Sequence, residues 1–519
     1  MHRRTLVLGA SVVWLLGGLT PVPVSAQQTG PGAVPASVEA PEEMHLPAAP
    51  AVAAPDTNGQ ASDALSATDA FSQFRRAFDA GQYEAAVPHA KRVLQLAEAA
   101  ASAPADEEVQ VALMNLAMTQ YLAGDYVGAE AAYTRAIELV QASGRPLHAR
   151  LARAYAGLAS TYHEGKRHEL AVENYDRAVS LTRRHEGLLT DTQLPLLEKY
   201  IDSLTEVGRY PDALKGWKYV LRIATRKHGE TSPALAPTLE RIGRWYARVG
   251  LYDQARRVIR RAIDLVETAE GDESPRLVGP LTALAQCNRR QLIDPDQRLF
   301  AAPDADRATL YHDPSLSSGT SAVSPTALLA EGERALLRAA AIAEARVDAS
   351  PVQVADVRTQ LGDWYQSRAL PERALPNYQK AWMAASRVEQ RIDGKPVVEA
   401  LFGHPLLLQV VRPDGWDRYA SRPADQVETR NVVVEFTVSA EGRAVQPRVV
   451  DDSGDAKRAE RTTAALESAR YRPRLENGQP VATAGVTFTQ PWILLLPTPA
   501  EETGSPARDA SAPVTDKAT

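Results

Sequence analysis

The chain has 519 residues, too many for one ordinary domain, and 44% of them are hydrophobic, enough for a core. Its net charge of −6 is mild, and its arginines are interleaved with Asp and Glu as on solvated helix faces. That balance excludes the strongly basic surface that nucleic acid or an anionic membrane requires.

In chain order, Met1-His2-Arg3-Arg4 is a short basic region and Thr5 to Leu19 an apolar run. Pro21 and Pro23 break that run, and Val24-Ser25-Ala26 is a small-x-small cleavage pattern before Gln27. These are the parts of a secretory signal peptide, expected over residues 1–26. The run is short for a membrane span, which needs about 20 residues. A retained anchor is the alternative, and membrane contact is expected only in that case. Export with a single cysteine, Cys287, leaves no internal disulfide and suits a bacterial periplasm. Cys287 lies in an apolar helical pattern, where a small buried hydrophobe is the ordinary role. Residues 27–66 are rich in Pro, Ala, Gly and Gln and are expected to be a disordered linker, as is the tail at 498–519.

A repeat fills most of what lies between. Ala129, Ala171, Ala213 and Ala255 follow one another at intervals of 42 residues. Leu116-Ala117, Leu158-Ala159, Tyr200-Ile201 and Ile242-Gly243 stand ahead of them in the same rhythm. Gly124, Gly208 and Gly250 separate the halves, where one helix stops and another begins. Each unit is therefore a helix, a tight turn and a second helix. Ala at the crossing lets the backbones approach, and Tyr133, Tyr175 and Trp217 fill the space one turn on. Weaker copies centre on Ala86 and Ala374. Another is interrupted by an irregular loop, 291–325, for which disorder is the expectation.

This pattern resembles the tetratricopeptide repeat, whose usual period is about 34 residues. The longer period implies extended helices or longer links between units. The resemblance implies an α-solenoid over 67–392 in which the first helices line a concave groove that binds peptides or proteins. Candidate contacts are Met114, Met118, Tyr121, Arg153, Ser160, His163, Asp202, Arg244 and Asp363.

Beyond residue 395 the rhythm changes. In NVVVEFTVSAEGRAVQPRVV, Val433, Glu435 and Thr437 fall on one strand face and Val434, Phe436 and Val438 on the other, with a turn at Glu441-Gly442. A helix follows over DAKRAERTTAALESARY, with Ala464, Ala465, Leu466 and Ala469 as its expected inner side. Asn477-Gly478 is a turn dipeptide, and AGVTFTQPWILLL a final strand. The order β-β-α-β predicts a small α+β domain over 396–497 with one helix on an antiparallel sheet.

The V-x-F-x-V strand, the x-x-G-x-V turn, the helix ending in Arg470-Tyr471-Arg472-Pro473 and the N-G-x-P-V link together resemble the C-terminal domain of TonB energy transducers. The resemblance implies a periplasmic domain that pairs an edge strand with a short segment of an outer-membrane receptor, a β-augmentation. The corresponding edge is the strand about Gly485 to Leu494, with Gly485, Thr487, Thr489 and Trp492 as candidate contacts. Three departures stand against coupling to the proton gradient. The family's Tyr–Pro pair ahead of the first strand is absent, the apolar run at the N-terminus holds no His, and there is no Pro-Lys/Pro-Glu spacer.

The chemistry of an enzyme does not emerge. HEGKRHEL at 163–170 approaches a zinc-protease motif, but His163 and His168 are five apart, and a continuous helix would splay them. There is no phosphate-binding glycine loop, no G-x-S-x-G, and no Cys/His cluster of metal spacing. His185, His228 and His312 are isolated, and Asp451-Asp452 reads as a solvated turn. The expectation is a non-enzymatic scaffold without cofactor, catalytic residue or metal, binding no small molecule. Its partners are proteins or peptides of the cell envelope, receptor segments among them. The second reading is a TonB-type transport component, and the third an enzyme working through the 291–325 loop.

Overall fold

The computed structural model describes residues 58–101, 106–143, 149–293, 323–345, 350–389, 391–392, 395–419, 422 and 426–496. The expected signal peptide and tail, His312 and most of the 291–325 loop lie outside them. The described residues form two compact units: 58–403 with Leu475–Gln479, and 404–474 with 480–496.

The larger unit is a series of helix pairs. They are α1 (Asn58–Asp79) with α2 (Tyr83–Ala100), α3 (Glu107–Leu122) with α4 (Tyr126–Ala142), α5 (Ala149–Glu164) with α6 (His168–Glu186), and α7 (Leu194–Glu206) with α8 (Tyr210–His228). The series continues with α9 (Ala236–Arg248) and α10 (Tyr252–Glu270), α11 (Val278–Ile293) and α12 (Pro325–Ala345), and α13 (Pro351–Gln366) and α14 (Pro371–Ala385). Helix α1 begins at Asn58, inside the stretch expected to be linker.

The small residues sit where the backbones cross. Ala129, Ala171, Ala213 and Ala255 are all 0% exposed. Tyr133, Tyr175 and Trp217 are buried beside them. A Cβ on Gly157 would collide with the Tyr133 ring, and one on Gly362 with the Tyr378 ring. The aromatic side chain of a second helix therefore rests directly on the backbone of a first helix.

Each tight turn inside a pair, among the described residues, needs a left-handed residue. Gly124, Gly208 and Gly250 supply it at φ 77°, 75° and 80°. Lys166 and Ala369 take the same conformation at φ 59° and 57° without being glycine. A second glycine series, Gly187, Gly229 and Gly271, ends α6, α8 and α10 and again runs at intervals of 42. Each of these is followed by a 3₁₀ turn (Asp191–Gln193, Pro233–Leu235, Pro275–Leu277) that leads into the next first helix. Second helices of 19 residues and these links together account for the long period.

After α14 come a short β1–β2 pair (Arg391–Ile392, Lys395–Pro396) and α15 (Val397–Phe402). The larger unit also takes in Leu475, which belongs to its main apolar cluster.

The smaller unit carries a three-stranded antiparallel sheet. β3 (Leu406–Gln409) precedes β4 (Val427–Val438) and β5 (Ala444–Asp451), and α16 (Ala456–Glu467) follows. Then come β6 (Arg470–Arg472) and β9 (Thr483–Leu495), and between them in the chain stand β7 (Arg474–Glu476) and β8 (Gln479–Val481), of which Leu475–Gln479 belong to the larger unit. The sheet order is β5-β4-β9, and β3 pairs separately with β6. Asn477 and Gly478, at φ 51° and 75°, make the two-residue turn between β7 and β8. Val432, Val434, Phe436 and Val438 alternate into the core beneath α16, joined by Phe488 and Trp492 from β9. From the helix, Ala459, Thr462 and Leu466 face this core, whereas Ala464 is exposed and Ala465 half-buried. The expected inner side of α16 is thus rotated, because a run of alanines does not reveal which of them faces a core.

The turn geometry predicts opposite effects for two substitutions. A Cβ at Gly208 meets no neighbour, so Gly208→Ala carries only the left-handed backbone penalty and lowers stability by about 1 kcal/mol. Lys166→Gly relieves the same penalty and leaves stability unchanged or higher, because glycine's extra chain entropy offsets part of the gain. Urea denaturation followed by circular dichroism measures both.

Candidate protein-interaction site

On the first helices, the side chains that mark a repeat interior also tie one repeat to the next. Arg150 of α5 reaches Glu107 and, at 3.2 Å, Gln110 of α3. Arg241 of α9 meets Glu198 of α7 at 2.9 Å, and Arg248 bonds Glu206 as well as Asp202, the latter at 3.4 Å. Arg244 donates to Gln286 of α11, whose amide donates in turn to Gln360 of α13 at 2.8 Å. A buried rung, Trp245 Nε1 to Thr205 Oγ1 at 2.8 Å, runs between the same helices as the Arg241 pair. Exposed ion pairs of this kind contribute about 0–1 kcal/mol each, so the ladder fixes register more than it supplies stability.

The candidate residues divide by this ladder. Met114 and Met118 are half-buried at the margin of the N-terminal apolar cluster, and Arg153 is exposed. Tyr121 accepts a hydrogen bond from Lys199 of α7 at 3.0 Å, two repeats away. Ser160 lies 3.2 Å from the Tyr175 hydroxyl, and His163 Nδ1 2.8 Å from Ser203 Oγ. Asp202 and Arg244 are rungs of the ladder. Asp363 is only 1% exposed: Tyr378 donates to it at 3.0 Å and Arg289 stands at 3.7 Å. Its carboxylate is turned into the repeat and presents no surface to a groove.

His163 and His168 are not splayed. The helix ends between them, α5 stopping at Glu164 and α6 starting at His168, so the turn folds the rings to 5.2 Å between centroids. Burial, helped by His168, Lys199, Lys166 and Arg248, pushes the His163 imidazole down to about 3. Burial lowers His168 as well. Among the described residues no group of three or more His, Cys, Asp or Glu could hold a metal ion, and no helix is long and apolar enough to cross a membrane. Cys287 is fully buried, its thiol facing the Tyr252 carbonyl, and burial pushes the thiol up to about 12. That environment makes it inert as a nucleophile.

In the smaller unit, β9 is an outer strand of its sheet. Val486, Phe488, Gln490 and Trp492 alternate toward the core side, and Trp492 is 3% exposed with Nε1 donating to Thr462 at 3.2 Å. Trp492 therefore faces inward, on the opposite side from Thr487 and Thr489, which are exposed. Leu496 N bonds toward β4, at Gln426 O, while Ile493 N bonds away from it, to Trp416 O at 2.9 Å. By the same alternation Thr487 and Thr489 turn their backbone N–H and C=O groups outward. Gly485, at φ 73°, lies where the β4–β9 register shifts, a bulge that ends the regular edge on one side. Pro491, which has no N–H, and the bonded Ile493 end it on the other.

The comparisons with known proteins agree with this division. Residues 108–184 and 193–268 match the tetratricopeptide repeat, and residues 418–490 match the family described as Gram-negative bacterial TonB protein C-terminal. The chain carries tetratricopeptide repeats followed by a TonB C-terminal domain. No curated protein matches the chain. Similar solved structures, all at low identity, include three of helical repeat proteins. A Podosopora anserina putative kinesin light chain with TPR-like repeats is 15% identical, over 39% of this chain and 95% of that one, with a TM-score of 0.36. Aspartyl phosphate phosphatase F from Bacillus subtilis is 13% identical, over 65% and 73%, with a TM-score of 0.35. The apo quorum sensor NprR from B. thuringiensis is 14% identical, over 62% and 88%, with a TM-score of 0.32.

The His163 environment sets a pH dependence. An imidazole that titrates near 6.5 in the unfolded chain and near 3 in the folded one favours unfolding as pH falls through that interval. Stability at pH 7 is therefore eroded between pH 6.5 and 3. His163→Asn keeps a hydrogen-bonding group facing Ser203 but cannot take up the proton. Its melting temperature is expected to fall less than that of the wild type between pH 7 and pH 4.5, as differential scanning calorimetry measures.

Proposed function

We propose that this chain is a non-enzymatic interaction scaffold of the bacterial cell envelope, which joins a peptide-binding helical solenoid to a strand-pairing module. The observation that carries the strand-pairing half is the outer strand β9. Thr487 and Thr489 offer four outward backbone groups, and no other strand pairs with them among the described residues. A partner strand laid along this edge completes those hydrogen bonds in the manner of β-augmentation. The bulge at Gly485 and the proline at 491 restrict the pairing to a short segment, which suits a brief extended motif rather than a whole sheet.

For the solenoid, tetratricopeptide architecture supports a protein or peptide partner, since stacked repeats expose an extended concave face. The polar ladder narrows the contacts on that face. Met114, Met118 and Arg153 remain the candidates best placed to meet a partner. Ser160, His163, Asp202 and Arg244 act first as ties between helices. Export to the periplasm is supported by the basic, apolar and small-x-small pattern of residues 1–26 and by the TonB C-terminal match.

Hydrogen exchange with a synthetic partner strand tests the edge. At saturation the amides of Thr487 and Thr489 are expected to gain protection, while Ile493, already bonded to Trp416, does not change. Exchange at Thr487 and Thr489 that stays the same at saturating strand contradicts the pairing. Intact-mass measurement of the exported protein tests the location, with a chain beginning at Gln27 as the expected result and a retained Met1 as the contrary one.

A further inference from the structure

The arginines of the first helices do not all belong to the polar ladder. Arg244 meets Glu240 at 2.9 Å, and Arg248 meets Asp202 and Glu206. The next first helix, α11, contains no Asp or Glu, yet it carries Arg289 and Arg290 near its C-terminal end. Arg290 stands one interval of 42 residues beyond Arg248, at the same place in the following repeat. The carboxylate that Arg289 faces, Asp363, is 3.7 Å away, beyond hydrogen-bond reach, and accepts from the Tyr378 hydroxyl at 3.0 Å. Arg290 is half-buried, and no hydrogen bond or ion pair engages it among the described residues. Burial lowers the pKa of its guanidinium; Tyr252 opposes that shift, and Arg289 and Arg248 add to it. None of the groups that act on it is a carboxylate. A guanidinium has five N–H donors, and taking them from water without a counter-ion costs free energy that the fold does not return. The C-terminal end of α11 favours a cation there but leaves those donors unfilled.

We propose that Arg290, with Arg289 and Arg248 beside it, is the docking point for a carboxylate side chain on an acidic segment of a partner protein. The site belongs to the first-helix face, and its assignment rests on the reading of that face as the partner surface. A carboxylate fits the planar fork of an arginine and forms short, charge-assisted hydrogen bonds with it. It supplies Arg290 with the counter-ion that α11 lacks and separates two like charges at the same time. The surroundings favour acidic residues on either side of it as well. Helix α9 carries three arginines against one glutamate, and α11 two arginines against no acid. That field attracts a negative segment and repels a basic one. The partner chemistry differs from that of the neutral, threonine-lined edge at β9, so the two units select different segments.

Selection from a random phage-displayed peptide library on the immobilised full chain, followed by calorimetric titration of an enriched peptide, tests the site. The enriched sequences are expected to share Asp or Glu. Changing that acid to its amide in the peptide is expected to weaken binding about tenfold, and Arg290→Met in the chain to do the same. The two changes together are expected to cost little more than either alone, because both remove one contact. Arg222→Met, at an exposed position of α8, is expected to leave binding intact. A second readout separates a binding role from a structural one. Arg290→Met removes a guanidinium without a counter-ion, so the melting temperature of the free chain is expected to stay the same or rise. A lower melting temperature overturns the proposal, because the guanidinium then serves the fold itself. Enriched peptides without an acid, or acidic ones indifferent to Arg290→Met, also overturn it while leaving the solenoid a peptide binder. No enriched peptide at all counts against both the site and the solenoid as a peptide-binding surface.

Discussion

The close approach of paired helices is the constraint on which the larger unit depends. Ala129, Ala171, Ala213 and Ala255 have no exposed surface because another backbone occupies the space that a larger side chain would need. That approach places Tyr378 against Gly362, and Tyr133 rests in the same way on Gly157 of the next pair. It also makes the described turns within the pairs so tight that a left-handed residue is required, even where the sequence supplies Lys166 or Ala369 instead of glycine. With each pair fixed, successive pairs stack, and polar side chains about one period apart come into reach. Arg241 and Glu198, Arg248 and Glu206, and Arg244 and Gln286 are all rungs formed in this way.

This explains how much of the fold was readable in advance. A crossing alanine and a turn glycine are demanded by backbone geometry, so their recurrence reports the repeat directly. The second glycine series, Gly187, Gly229 and Gly271, recurs at the same interval and carries the same information about the links between repeats. The five-residue spacing of His163 and His168 implies splayed rings only on one continuous helix, and the repeat turn that falls between them brings the rings together instead. In the smaller unit the alternation of Val432, Val434, Phe436 and Val438 fixed the buried face of β4. The same alternation through Phe488 and Gln490 assigns Trp492 to the core, so its inward orientation was available from the sequence. For α16, by contrast, alanines on several faces leave its rotation undetermined, and Ala464 is exposed instead of facing the core.

The candidate site was harder to read than the fold. Positions on the first helices of a repeat can face a ligand or face the next repeat, and polar residues serve either purpose. Tyr121, Asp202 and Arg244 illustrate the second use, each paired across a repeat boundary, and Asp363 is withdrawn altogether. On β9 the sequence gives the strand but not its limits. Those come from the bulge at Gly485 and from the hydrogen bond that Trp416 accepts from Ile493, which is contributed by a segment distant in sequence.

The central claim is that partners meet the chain on the first-helix face and on the free edge of β9. Site-specific photo-crosslinking in intact cells tests it most directly, with the photoreactive residue placed at Arg153, at Thr487, or at the exposed Arg222 on the second helix α8. The account predicts discrete protein adducts from Arg153 and from Thr487, and only background from Arg222. Equal background from all three positions would contradict it.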